Sequence, residues 1–299
     1  MPSLYQQADS NSRKTWFLLT FFLVFIIVLG WFFSYLLDNN AILYFAIILS
    51  IFTSFGSYWW SDKIVLAMYH AQPVEHDQNP EIYHLVENLC ITAGLPVPRI
   101  YIIPEMQPNA FATGRSAKHA VVVVTQGLLQ KLNKTELEGV IAHELSHIGN
   151  KDMLLATIVA ILAGIVSILA NMFMRITFWG GGRRNRDNGA GIVLFLSGIL
   201  AAVLAPIAAT LVQLAISRKR EFLADATGAL LTRYPEGLAR ALEKISSDST
   251  PMRITNDATA PLFIDTPYKE REKTNWFVKL FTTHPPIEER IKALRDMDI

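Results

Sequence analysis

The segment AHELSHIGNKD, from Ala142 to Asp152, carries the most specific pattern of the chain. His143 and His147 stand four positions apart, and Glu144 directly follows the first of them. On an α-helix such residues share one face, so both imidazoles can reach one metal ion. Glu144 cannot bind the ion from the same direction, but it can hold a metal-bound water and take its proton. The pattern indicates a hydrolytic zinc site, and a surface helix with two chance histidines is the alternative.

The residues around this motif predict a helix over 134–150. Thr135 is the expected N-cap, and Glu138 would complete a capping box. Apolar residues flank the histidines at helical spacing, which favours a helix packed into the protein over a surface helix. They are Val140, Ile141, Leu145 and Ile148.

A third ligand is expected from SRKREFLAD, Ser217 to Asp225. A catalytic zinc takes three protein ligands, often including a glutamate, and Glu221 is the candidate. Asp225 lies four positions later, on the same helical face, and could accept the free ring N–H of a ligand histidine. In the alternative interpretation, Glu221 pairs with one of the neighbouring basic residues at a membrane surface.

Composition limits the class of protein. The chain has 299 residues, 51% of them hydrophobic, and a mean hydropathy of +0.28, which points to membrane segments. The net charge of +1 gives no basic field that would favour nucleic acid as a partner. The single cysteine, Cys90, can form neither an internal disulfide nor a thiolate metal site, which suits a reducing compartment.

Four uncharged apolar runs are each long enough to cross a bilayer as a helix. They cover residues 16–37, 41–60, 153–174 and 191–216. The first is too long for the core of a cleaved signal peptide, and no small-residue cleavage site follows it. A buried core helix can be as apolar, but four such runs favour membrane spans.

The Lys and Arg residues near the ends of these runs predict the orientation. Those that suit a cytoplasmic N-terminus, middle and C-terminus are Arg13, Lys14, Lys63, Arg218, Lys219 and Arg220. The loop after the third run does not fit this orientation, because its basic residues would lie outside. They are Arg175, Arg183, Arg184 and Arg186. Either the early spans dominate or the second hairpin does not cross fully. In both cases the chain returns to the side it left, which lets Glu221 reach His147.

These boundaries predict four parts. They are an N-terminal membrane hairpin (1–60), a first cytosolic part (61–152), a second membrane hairpin (153–216) and a second cytosolic part (217–299). The soluble parts are expected to be mainly helical with a small β-sheet, because PRIYIIP and AVVVVTQGLL read as short strands.

Four motifs occur in the order found in the HtpX-like membrane zinc endopeptidases, relatives of the CAAX prenyl endopeptidases. These motifs are NAFATG (Asn109–Gly114), AHELSHIGNKD, SRKREFLADA and THPPIEERIKAL (Thr283–Leu294). The resemblance covers the whole chain. It implies an α+β zincin domain of the gluzincin type on four transmembrane helices, with one Zn²⁺ per subunit. It also implies a bacterial inner-membrane location with the active site facing the cytoplasm.

The resemblance assigns roles to individual residues. His143, His147 and Glu221 match the zinc ligands, and Glu144 matches the catalytic base. Asn109, Ala110 and Phe111 match an edge strand that lies along the substrate, which an exposed strand can do by pairing with a peptide. A turn role for Asn109 and a core position for Phe111 are the alternatives.

The resemblance also gives His284 a role in stabilising the oxyanion. A loop histidine before two prolines is the alternative interpretation of His284. Arg290, six positions later, is expected to pair with Asp225 and so to tie the C-terminal helix to the site.

The implied function is hydrolysis of peptide bonds in damaged or misfolded membrane proteins under stress. Its partners would be membrane or unfolded proteins and the lipid bilayer, not nucleic acid; the oligomeric state stays open. The main alternative is a catalytically silent zinc scaffold in the membrane, against which Glu144 argues. A transporter would carry ionisable residues inside its spans, and these spans carry essentially none. Four spans are too few for the membrane chamber of the CAAX prenyl endopeptidases, so prenylated substrates are not expected.

Overall fold

The computed structural model describes residues 4–36, 38–77, 79–179, 199–200, 204, 218–256, 258–268 and 285–298. Over these residues the protein is mainly helical with one small mixed sheet, as the sequence predicts. Three long apolar helices stand beside a part that carries the sheet and the shorter helices.

The three long helices are α1 (Leu4–Leu36), α2 (Asn40–Trp59) and α7 (Asp152–Trp179). Each contains a segment long and apolar enough to cross a membrane: Ser10–Tyr35, Asn40–Trp59 and Asp152–Asn171. The first three predicted spans are therefore confirmed as helices of membrane-spanning length. The fourth predicted span, 191–216, lies outside the described residues except for 199, 200 and 204.

The sheet has four strands: β1 (Gln72–Pro73), β2 (Arg99–Ile103), β3 (Ala110–Thr113) and β4 (Val121–Thr125). Their order is β1-β2-β4-β3, with β2 and β4 parallel and the other two pairs antiparallel. The β-branched runs predicted as strands are β2 and β4. β3 comes from the NAFATG motif and lies at the edge of the sheet.

The remaining helices are α3 (Ser61–Met68), α4 (Pro80–Ala93), α5 (Gln126–Lys131), α6 (Lys134–Gly149), α8 (Arg218–Thr232), α9 (Pro235–Ser247) and α10 (Ile287–Arg295). Two short 3₁₀ turns cover Ala117–His119 and Ala260–Leu262. Helix α4 ends where the sequence predicts, because Gly94 adopts a left-handed conformation with φ of +64°.

The N-terminus of α6 differs from the prediction. The N-cap is Asn133, whose side chain accepts from the Glu136 backbone N at 3.0 Å, while the Glu136 carboxylate accepts from the Asn133 backbone N at 2.9 Å. The predicted pair, Thr135 with Glu138, has the same spacing two residues later. Thr135 instead donates to the Asn133 side chain at 2.8 Å, so the capping box forms two residues earlier than predicted.

Helix α6 is the central element of the soluble part. It packs against α4, α8, α9 and the sheet, and most of its residues after Glu136 are buried. Close approach to α8 depends on Gly228, where an added Cβ would lie 2.9 Å from the His143 backbone N. This contact brings the residues of α8 to the histidine face of α6.

Candidate active site

His143 and His147 project from one face of α6 toward a common point. Their Nε2 atoms lie 3.1 Å apart, and the two rings meet edge to face. Glu221, on α8, brings a carboxylate oxygen to 3.8 Å from the His147 Nε2. One potential ligand atom from each of these three residues lies within 4.8 Å of the others. The structure thus brings together the three residues expected as metal ligands.

The opposite ring nitrogens face carboxylates. His143 Nδ1 lies 2.9 Å from an Asp225 oxygen in a bent contact, and His147 Nδ1 lies 3.1 Å from both oxygens of Asp152. These carboxylates favour the tautomer with the proton on Nδ1, which leaves a lone pair on the Nε2 of each neutral ring. Two lone pairs 3.1 Å apart repel each other unless a cation lies between them.

The donor set fits a catalytic zinc. Two imidazole nitrogens and one carboxylate oxygen are the protein ligands of one common class of such sites, which keep the fourth position open. Two nitrogens at bonding distance from one tetrahedral zinc would be separated by about 3.3 Å. The Nε2 atoms of His143 and His147 already have nearly this separation.

Arg290 joins the two acidic residues of α8. Its Nε and Nη2 donate to the two Asp225 oxygens at 2.8 and 2.7 Å, and its Nη1 lies 3.6 Å from Glu221. Arg290 is fully buried, as are His143 and Asp225 apart from a few per cent. The buried guanidinium therefore fixes the carboxylate that contacts His143.

Burial and the neighbouring charges shift the pKa values of these groups. Burial raises the pKa of Glu144 to about 7, which is suitable for a residue that exchanges protons near neutral pH. Burial lowers the pKa of His147, but the carboxylates of Asp152 and Glu221 more than offset this and raise it to about 10. Burial raises the pKa of Asp225, yet Arg290 more than offsets it and lowers it to about 2. The carboxylates around His147 thus favour positive charge at this ring.

A cavity opens beside these groups. His143, Glu144, His147 and Glu221 line its polar side. Its apolar side includes Ala112, Met153, Ala156, Leu262 and Phe263. Glu144 therefore faces the same space as the three metal-binding candidates, where a water and a peptide carbonyl could meet.

The three residues expected to lie along the substrate do not line the cavity. Asn109, Ala110 and Phe111 are fully buried, and the cavity is lined from this strand by Ala112. Phe111 packs in an apolar cluster against Phe263, with ring centroids 4.9 Å apart. The edge of β3 at Ala110 is thus not exposed. His284 lies outside the described residues.

Two parts of the site were not predicted from the sequence. The first is Asp152, the partner of His147. Its position could have indicated this role, because it is an acidic residue between the metal motif and an uncharged run. Pro261 and Leu262, in the turn Ala260–Leu262, and the two residues after that turn also line the cavity. No local pattern links that turn to β3.

Known proteins resemble this chain over most of its length. The model of "Peptidase family M48" matches residues 76–298. A "Protease HtpX homolog" of Thermoanaerobacter pseudethanolicus is 44% identical over 300 residues, covering 99% of this chain and 98% of that protein. Another, from Pyrococcus furiosus, is 50% identical over 264 residues, covering 88% and 89%.

Among solved structures, the crystal structure of S. mikatae Ste24p matches with a TM-score of 0.50 at 17% identity, covering 98% of this chain and 67% of that one. This likeness concerns the fold alone. The family match and the identities to the HtpX homologues extend over most of the chain, and the three apolar helices are long enough to span a membrane. The chain therefore belongs to peptidase family M48 and is a multi-pass membrane metalloprotease.

Proposed function

We propose that the protein is a zinc endopeptidase with one Zn²⁺ per subunit, held by His143, His147 and Glu221. The observation that carries this proposal is the convergence of the two Nε2 atoms and the Glu221 carboxylate beside the buried Glu144. Zinc bound here would polarise a peptide carbonyl and acidify a water.

Glu144 is the proposed catalytic base. It accepts a proton from the attacking water and returns it to the leaving amine nitrogen. A pKa near 7 suits both steps, because the carboxylate is neither too weak a base nor too weak an acid at neutral pH. A silent scaffold would have no use for a buried carboxylate at this position. His284 remains the predicted oxyanion-stabilising residue.

Other residues of the chain position the ligands. Asp152 accepts the Nδ1 proton of His147, and Asp225 lies 2.9 Å from the Nδ1 of His143. These carboxylates would orient the two rings and make the Nε2 atoms better metal ligands. Arg290 holds Asp225 in place through two hydrogen bonds. We assign these three residues a positioning role.

The domain organisation that we propose has a gluzincin-type domain formed by 61–152 and 217–299. The hairpins 1–60 and 153–216 supply four membrane spans. Contacts of α6 with α8 and α9 support joining the two soluble parts. The distribution of Lys and Arg supports a site on the cytoplasmic face of a bacterial inner membrane.

The proposed substrates are damaged or misfolded membrane proteins and other unfolded chains, as part of membrane-protein quality control. The position of the site supports this choice, because Asp152, which contacts His147, is also the first residue of the α7 span. A peptide that reaches the ligands therefore lies close to the membrane.

The test compares wild type with Glu144→Gln and Glu138→Gln, purified in detergent, for zinc content and casein cleavage. Glu138 lies on the same helix, outside the cavity, and serves as the matched control. We expect zinc in all three proteins and a loss of cleavage of at least about 100-fold in Glu144→Gln alone. Cleavage retained in Glu144→Gln would refute the assignment of the base. A full zinc complement in Glu221→Ala would remove Glu221 from the ligand set.

A further inference from the structure

The loop between β3 and β4, residues 114–120, lies beside the membrane helices. Just before it, the Thr113 hydroxyl lies 3.0 Å from that of Thr157, which is five residues after Asp152 and so about 7.5 Å along α7. Within the loop, Arg115 contacts the ring of Trp59, the last residue of the second apolar segment. The 114–120 loop therefore lies where two membrane-length helices, α2 and α7, meet the soluble part.

The shape of this loop is fixed by close contacts of its own backbone. Gly114 has a φ of +130°, and an added Cβ there would lie 2.4 Å from the His119 O. The His119 backbone N donates to the Ser116 O at 2.9 Å. The loop thus folds back on itself and presents its side chains in a defined arrangement.

The guanidinium of Arg115 is held in one orientation. Its Cζ lies 4.5 Å from the centroid of the Trp59 ring, within the range of a cation–π contact. Its Nη2 donates to the His119 Nε2 at 2.9 Å. Because a guanidinium can only donate, His119 carries its ring proton on Nδ1, from which it donates to the Ser116 hydroxyl at 2.9 Å.

These contacts orient Arg115 but do not neutralise its charge. Among the residues that the structure describes, no carboxylate forms an ion pair with Arg115, and the neutral His119 ring accepts one of its N–H groups. A guanidinium has five such groups in a planar fork that fits two oxygens of one phosphate. Arg115 is therefore a preorganised anion-binding group at the end of a membrane helix.

The neighbouring charges at this membrane boundary have the same sign. Asp62 and Asp152 are buried, and each already has a partner, Arg99 at 2.5 Å and His147 at 3.1 Å. Lys118, in the loop itself, is exposed. Within four residues of this end of the three apolar segments, the exposed charged side chains that the structure describes are all basic: Arg13, Lys14, Lys63 and Lys151.

The aromatic side chains place this basic surface at the depth of lipid headgroups. Trp59 is half exposed and Trp16 is 57% exposed, so both can contact lipid. The rings of Trp16 and Tyr58 lie 5.4 Å apart, which brings the ends of α1 and α2 to the same level. Tryptophan and tyrosine at the ends of spans typically lie in the interface between the hydrocarbon core and water.

We propose that Arg115, stacked on Trp59, binds the phosphate of an anionic phospholipid headgroup. The half-exposed Trp59 ring would contact the glycerol and upper acyl region, and the basic surroundings favour a headgroup with net negative charge. This inference concerns the contact with the membrane and does not depend on the proposed peptidase function.

A headgroup bound here would connect the membrane surface to the active-site cavity. Arg115 lies three residues after Ala112, which lines that cavity, and Thr113 between them contacts α7. The bound lipid would therefore stabilise the cavity wall on its membrane side.

The test follows the Tm of the full-length protein in neutral detergent micelles as the fraction of phosphatidylglycerol increases. Wild type is compared with Arg115→Gln and with Arg240→Gln, which removes the same charge from an exposed position on α9, a helix that packs on α6, α8 and α10. A ligand that binds only the folded state raises Tm. We expect Arg115→Gln to need at least about fivefold more phosphatidylglycerol for the half-maximal rise, and Arg240→Gln to behave as wild type.

Three results would overturn the proposal. The first is an equal lipid dependence in Arg115→Gln and wild type. The second is an equal rise in Tm with phosphatidylcholine, which would mean that headgroup charge is not recognised. The third is the same rise with inorganic phosphate alone, which would mean that the site takes a free anion and not a lipid.

A second measurement does not depend on thermal stability. Mass spectrometry of the intact protein, released from the same micelles, counts the lipids that stay bound. We expect fewer phosphatidylglycerol molecules on Arg115→Gln and on Trp59→Leu than on wild type, because one variant loses the charge and the other loses the ring that orients it. Equal counts on Arg115→Gln and wild type would contradict the site, whatever the Tm values.

Discussion

Asp152 has two roles that follow from one position. As the first residue of α7 it places a negative charge at a helix N-terminus, where the helix dipole favours it. Its carboxylate also accepts from the His147 Nδ1, in a nearly buried setting. The start of a membrane helix and the orientation of a metal ligand therefore depend on the same side chain.

Asp152→Asn should weaken metal binding about 10- to 100-fold, because His147 loses the charged acceptor that fixes its ring. The measurement is a competition titration with a zinc chelator. Asp77→Asn is the matched control, since Asp77 also contacts a histidine Nδ1, that of His76, at an exposed site. Equal zinc affinity in Asp152→Asn and wild type would contradict the assigned role of Asp152.

At the level of elements, the site depends on how closely α8 approaches α6. Gly228 on α8 leaves no room for a Cβ beside the His143 backbone N, at 2.9 Å. Since α8 carries Glu221 and α6 carries both histidines, any added atom at Gly228 separates the two halves of the ligand set.

Gly228→Ala is therefore expected to lower both zinc affinity and Tm, although alanine is the better helix former. Overpacking of this kind costs about 1–3 kcal/mol. Gly149→Ala, at the end of α6, is the control, because its Cβ would meet nothing closer than 3.9 Å. The same loss of zinc in both variants would show that helix spacing is not the cause.

The corrected cap of α6 gives another prediction for an element. Asn133→Ala should destabilise the protein by about 1 kcal/mol, since it leaves the Glu136 backbone N without its acceptor. Thr135→Ala, at the predicted but unused cap, should shift the thermal unfolding midpoint much less. A larger shift for Thr135→Ala than for Asn133→Ala would indicate that Thr135 is the N-cap, as the sequence pattern predicts.

The elements with local signals were predictable from the sequence, and those made by distant contacts were not. The end of helix α4 at Gly94 was predictable, because glycine is the residue that most readily adopts the left-handed conformation found there. The predicted N-cap of α6 was wrong, because Asn133 and Thr135 both have a glutamate three positions later and the local pattern does not distinguish them. The pairing of Ala110 with Ile264 joins residues far apart in sequence, and no periodicity encodes it.

On the scale of the whole molecule, the chain leaves the soluble part at α7 and returns to it at α8. The metal ligands lie on both sides of this excursion, on α6 and α8. The C-terminal helix α10 joins α8 to the segment after the turn Ala260–Leu262, since Arg290 donates to Asp225 on α8 and to the Ile264 O. Helix α10 thus holds both the carboxylate that contacts His143 and the segment that pairs with β3 at Ala110.

Arg290→Met tests this connection. Removing one partner of a buried ion pair costs about 3–5 kcal/mol, because Asp225 keeps its charge without compensation. We expect a fall in Tm of about 10 °C and a loss of zinc affinity, measured by thermal unfolding and chelator competition. Arg295→Met is the control on the same helix, since Arg295 pairs with Glu236 at an exposed position and should leave both quantities nearly unchanged. Equal effects of the two substitutions would mean that α10 contributes general stability only and that the metal site does not depend on Arg290.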